Sequence, residues 1–137
     1  MQQADLKKLA ELRLKEARAL FRQRLYAGAY YLAGYAIECA LKACVAKQTR
    51  RYEFPDKQRA HDVFTHDLAR LVKAAGLAQA LAAQSRQDTV FEVNWNLVKD
   101  WQAESRYSFR KRAEAQDLLD AIDDPTRGVL QWVKRHW

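Results

Sequence analysis

Between Ala29 and Ala46 the chain carries only two charged residues, Glu38 and Lys42, set among Ala, Tyr, Leu, Ile, Cys, Val and one Gly. Ala33, Ala36, Ile37, Ala40, Leu41, Cys44 and Val45 would cover most of a helix surface, so the pattern predicts a helix from Ala29 to about Gln48. A helix that is apolar nearly all round belongs at the centre of a bundle. A membrane span is excluded, because Glu38 and Lys42 lie mid-segment and would each cost ~2.5 kcal/mol or more in lipid.

The remaining sequence must then supply the helices that cover this one. With only four Gly and two Pro in 137 residues, there is little to punctuate strands and tight turns. Leu6, Ala10, Leu14, Ala17, Phe21 and Leu25 step by three or four, predicting a first helix over about 3–25 and a turn at Ala27 and Gly28. Its opposite face is basic, with Lys7, Lys8, Lys15, Arg18 and Arg22. A longer loop follows around residues 49–65, marked by Pro55. Thr65 is then placed to cap a third helix, His66 to Ala75, which Gly76 ends in the C′ position.

A fourth helix, in two pieces, is expected from Leu77 through Trp101, and a last one from about Phe109 to Ile122. Asp123, Asp124 and Pro125 break it ahead of a terminal turn carrying Val129, Leu130, Trp132 and Val133. The expected fold is all-α: a four- to five-helix up-and-down bundle, one domain over 1–137.

Charge adds a partner class. The net charge is +7, and all of the excess lies in residues 1–60, which hold thirteen Lys and Arg against six Asp and Glu. A pI of about 9.6 makes a polyanion such as RNA a plausible partner, with solvated helix surface as the alternative. No apolar leader follows Met1, so the expected compartment is the cytoplasm. Four Trp also give a chain of this size more apolar surface than one bundle usually hides. A homodimer is therefore expected, with its seam on basic or aromatic helix faces.

Two clusters could carry chemistry. Tyr31, Tyr35, Glu38 and Lys42 are spaced by four, three and four, which gathers them within one 60° sector of the central helix. This strip is either an ion pair beside two rim tyrosines or the lining of a groove. In the second cluster, Arg106, Arg110, Lys111 and Arg112 interleave with Trp101, Tyr107 and Phe109. Cations beside flat rings suit phosphates and unstacked bases, although they also suit a helix junction.

Other chemistries lack their residues. Cys39 and Cys44, five apart on a helix, point in different directions and read as small core residues, so neither metal nor cofactor is expected. There is no nucleophile elbow and no glycine-rich phosphate loop.

The central segment YYLAGYAIECALKACV, with Glu38, Lys42 and Ala43, resembles the second helix of HEPN domains, which are small helical bundles. THDLARLVKAAGL resembles the family's His-Asp-Leu segment, here His66, Asp67 and Leu68, and ESRYSF its Arg-Tyr element, here Arg106 and Tyr107. The three blocks come in the family's order and cover about residues 10–122. The resemblance implies RNA or nucleotide binding and points to Glu38, Lys42, His66, Asp67, Arg106 and Tyr107, to which the two clusters add Tyr31, Tyr35 and Arg110 as candidate binding residues. It also implies a homodimer and a nucleotidyltransferase partner in a toxin–antitoxin pair.

Catalytic members of the family carry an Arg, four to six residues, and then a His late in the bundle. This chain departs from that pattern, since no His follows Arg106 and Arg110 until His136, and only Arg59 and His66 have a permitted separation. The leading expectation is therefore a binding module acting with a partner. A metal-independent ribonuclease using His66 with Arg59 or Arg106 is the alternative, and a dimeric structural adaptor is a third.

Overall fold

A computed structural model describes residues 1–51 and 64–137. Among the described residues there are seven α-helices and no strand. They are α1 (Gln3–Arg22), α2 (Tyr26–Arg51), α3 (Leu68–Ala74), α4 (Ala78–Gln87), α5 (Thr89–Lys99), α6 (Arg112–Asp123) and α7 (Val129–Lys134). One 3-10 turn, Ala103–Tyr107, joins α5 to α6. None of these helices is long and apolar enough to cross a membrane.

The apolar segment forms the hub of an all-α bundle. α1, α3, α6, α7 and the 3-10 turn all pack on α2, and Ala33, Ala36, Ile37, Ala40 and Leu41 are fully enclosed there. Each Leu or Ile so enclosed contributes about 1.5–3 kcal/mol of hydrophobic stabilisation. α1 presents Ala10, Leu14 and Ala17 to the core, and Trp95, Val98 and Trp101 bring the α5 side into the same cluster. Small residues set the spacing: a Cβ on Gly28 would stand 3.1 Å from Leu20 Cδ1, and one on Gly34 would enter the Trp101 ring.

The bundle has more, shorter helices than the four or five expected. α4 and α5 are the two anticipated pieces, divided at Asp88, whose carboxylate accepts from the backbone N–H groups of Val90 and Phe91. The terminal turn is a helix in its own right, α7. The last long helix starts at Arg112 rather than Phe109, and the 3-10 turn occupies part of the intervening stretch.

The first turn also lies elsewhere. α1 stops at Arg22, and Arg24 takes a left-handed φ of 63° while Leu25 N–H donates to Leu20 O at 2.9 Å. This is a Schellman-type end with Arg where Gly is usual. Ala27 and Gly28 consequently lie inside α2, and Leu25 is exposed. Gly76 ends α3 as expected, at φ 72°. The α3 cap is Asp67 rather than Thr65: Asp67 Oδ1 accepts from Arg70 N–H at 3.1 Å, and Thr65 Oγ1 accepts from Asp67 N–H. His66 therefore precedes the helix.

Candidate functional site

The polar strip on α2 assembles around Glu38. Its side chain is only 2% exposed, and a buried carboxylate needs partners. Lys42 Nζ donates to Oε2 at 3.1 Å, and His66 Nδ1 lies 2.9 Å from Oε1. The first contact follows from the i, i+4 spacing on one helix, and the second from the cap that fixes the chain just ahead of α3. Lys42 is 19% exposed at its side chain, whereas His66 is 54% exposed.

A carboxylate oxygen accepts, so the contact is completed by the His66 tautomer that carries its hydrogen on Nδ1. In the neutral imidazole Nε2 then keeps its lone pair, and among the described residues it has no hydrogen-bond partner. A carboxylate orienting a half-exposed imidazole can bind or transfer a proton.

At the other end of the strip lies the 3-10 turn. The Tyr31 and Tyr35 rings are 5.9 Å apart, and Tyr31 stacks on Trp101 at 6.0 Å and 26°. Burial, followed by the nearby Cys39 and Glu38, pushes the Tyr35 phenol up from its ordinary value. The Arg106 guanidinium lies 4.8 Å over the Tyr107 ring. Hydrogen bonding to the phenols of Tyr107 and then Tyr31 pushes its pKa above the usual guanidinium value. Tyr107 is 78% exposed and Phe109 fully exposed, so cation and rings face outward together.

The expected residues thus divide into three groups. Glu38, Lys42 and His66 form one hydrogen-bonded centre, and Tyr31, Arg106 and Tyr107 form a second. Tyr35 lies between them on α2. Among the described residues no hydrogen bond joins Arg106 to Glu38, Lys42 or His66. Arg110 and Asp67 are otherwise engaged: the Arg110 guanidinium stacks 4.1 Å over Tyr30 and donates to Glu114 at 3.0 Å, while Asp67 caps α3. Arg59 lies outside the described residues, as does most of the expected 49–65 loop.

The basic face of α1 is only partly free. Arg18 pairs with Asp123 of α6, and Lys7 lies 5.5 Å over the Trp137 ring. Among the described residues no group of three or more His, Cys, Asp or Glu is placed to hold a metal ion.

A family model for the HEPN domain matches residues 3–136, nearly the whole chain. The chain belongs to the HEPN domain family. Neither the curated proteins nor the solved structures give a match. Membership points to an RNA-related or nucleotide-binding function in general terms.

Sequence reasoning missed one feature of this HEPN domain. Phe21, Arg22, Arg24, Tyr26 and Arg112 line a cavity open to solvent at the α1–α2 corner. The run FRQRLY, two cations set between two rings, is the local signal for it. Arg112 arrives from a distant helix and leaves no such signal.

Proposed function

We propose that this HEPN domain is an RNA- or nucleotide-binding module of the cytoplasm that acts as a homodimer with a partner, a nucleotidyltransferase in a toxin–antitoxin pair. The observation that carries the binding reading is the outward-facing Arg106–Tyr107 pair beside Tyr31. A guanidinium has five N–H donors, so Arg106 held against Tyr107 and Tyr31 still has donors left for phosphate, and exposed rings offer faces for unpaired bases. Val90, Val93 and Leu97, exposed at three- and four-residue spacing on α5, support the dimer by offering an apolar face. Binding of a fluorescent single-stranded ribo-oligonucleotide, compared between the natural chain and Arg106→Ala, tests the reading. Equal affinity would refute it.

A second reading, a metal-independent ribonuclease, is favoured by one contact, the 2.9 Å approach of Glu38 Oε1 to His66 Nδ1. That arrangement suits a general base for a 2′-hydroxyl, with a cation to stabilise the phosphorane. Cleavage of cellular RNA in EDTA, abolished by His66→Ala with a ~100-fold or greater loss, would replace the binding reading with this one.

A further inference from the structure

The cavity at the α1–α2 corner lies apart from the Glu38 centre and has about 440 Å³ of space, enough for a small ligand. Two rings line it, Phe21 and Tyr26, meeting edge to face at 5.4 Å and 62°. Three guanidinium groups share the lining, those of Arg22, Arg24 and Arg112, and no carboxylate does. Among the described residues none of the three forms an ion pair, whereas nearby Arg110 is neutralised by Glu114 and Arg18 by Asp123. Arg112 lies 5.8 Å over the Phe21 ring, which fixes one cation against the apolar wall.

The backbone reinforces the charge. Tyr26 is the first residue of α2, a 26-residue helix with no acidic side chain in its first turn, so the positive end of that helix borders the cavity. Arg24 holds its place at a left-handed φ of 63°, where Gly is the comfortable residue. The chain therefore keeps a guanidinium at the corner despite an unfavourable backbone conformation.

We infer that this cavity binds a nucleoside monophosphate unit, its phosphate among Arg22, Arg24 and Arg112 and its base against Tyr26 and Phe21. Three guanidinium groups with no carboxylate in the lining select a phosphate group, diester or monoester, because planar forks match phosphate oxygens two at a time. The rings select a flat group attached to that anion. The choice of a nucleotide over another aryl phosphate rests on the proposed RNA or nucleotide function, and the unit could come from a free nucleotide or from an RNA strand.

The test is an NMR titration of the full chain with AMP, adenosine, inorganic phosphate and a short oligouridylate. AMP or the oligonucleotide should shift the backbone amides of residues 21–26 and 112, and whichever does so identifies the source. Adenosine should bind at least tenfold more weakly than AMP.

Arg24→Gly removes the cation while suiting the positive φ, and should weaken AMP or oligonucleotide binding roughly 10- to 100-fold. Arg112→Gln should do the same. The inference is overturned if neither nucleotide probe moves these amides, if adenosine matches AMP, or if Arg24→Gly binds unchanged. RNA that shifts only Arg106 and Tyr107 would sink the cavity while sparing the proposed function. AMP that shifts only the cavity, with RNA affinity indifferent to Arg106→Ala, would do the reverse.

Discussion

Trp101 occupies the space that a side chain at Gly34 would need: a Cβ built there would lie 2.2 Å from Trp101 Cδ1. The indole is 1% exposed, stacks beside Tyr31, and directly precedes the turn that carries Arg106 and Tyr107. Gly34→Ala should therefore displace Trp101 and with it the Arg106 end of the site. Overpacking of this kind costs about 1–3 kcal/mol, partly offset by the ~1 kcal/mol advantage of Ala over Gly within a helix. Urea denaturation should show a net loss of stability, and RNA affinity should fall as well. An unchanged midpoint with unchanged affinity would show that the ring relocates freely.

Glu38 leaves Lys42 largely buried and dependent on it. Removing one member of such a pair strands the other, so Glu38→Ala should cost about 3–5 kcal/mol, and Glu38→Gln less because an amide can still meet His66. Denaturant midpoints for the two variants check this. Equal, small losses would mean that water already solvates Lys42.

Both of these positions bear on what the sequence disclosed. The Glu38–Lys42 contact is legible because helical periodicity alone puts i and i+4 together, whereas the expected two pieces of the fourth helix meet at Asp88, a position that only the folded backbone fixes. Gly76 ended α3 for the reason glycine usually does, its positive φ. Arg24 adopts the same conformation without the glycine, so local composition points to a turn four residues late, at Gly28, a residue needed instead for close packing of α1 on α2. Capping chemistry was legible only to within two residues, since both Thr65 and Asp67 have suitable oxygens and only the folded backbone selects Asp67. The His66–Glu38 contact spans 28 residues, and local spacing carries no information about it.

If Arg106 and Tyr107 meet RNA as proposed, affinity for single strands should fall with salt, by a slope of about −0.7 for each phosphate neutralised. Arg106→Ala should make that slope shallower. Tyr107→Ala should leave the slope alone and weaken binding by ~1–3 kcal/mol through lost base stacking. Fluorescence anisotropy between low and moderate salt separates these effects. A slope that is the same in Arg106→Ala as in the natural chain would assign the phosphate contacts elsewhere.

Cys39 and Cys44 are buried against α2's neighbours, and burial pushes both thiols up to about 11 from an ordinary 9.0. Between pH about 9 and about 11 the unfolded chain has released protons that the folded chain still holds. Stability should therefore be unaffected by these groups below pH 9 and should decline as pH rises through that window. The same burial should keep both thiols unmodified by iodoacetamide at pH 8 in the native protein, with two adducts appearing on denaturation. Mass spectrometry of rapid native alkylation at pH 8 would contradict this.

The proposed dimer can be tested at α5. Val90, Val93 and Leu97 are exposed on one face, whereas Phe91, Trp95 and Val98 of the same helix are buried in the core. Charged substitutions at Val93 and Leu97 therefore leave the core untouched and act only on the outer face. Sedimentation at micromolar concentration should give twice the 15.9 kDa chain mass for the natural protein, and the single-chain mass for Val93→Glu combined with Leu97→Glu. Thermal midpoints measured alongside should confirm that the variant remains folded. A dimer that survives both substitutions would move the seam to the aromatic and basic surface around Phe109, and a natural chain that sediments as one copy would remove the dimer from the proposal altogether.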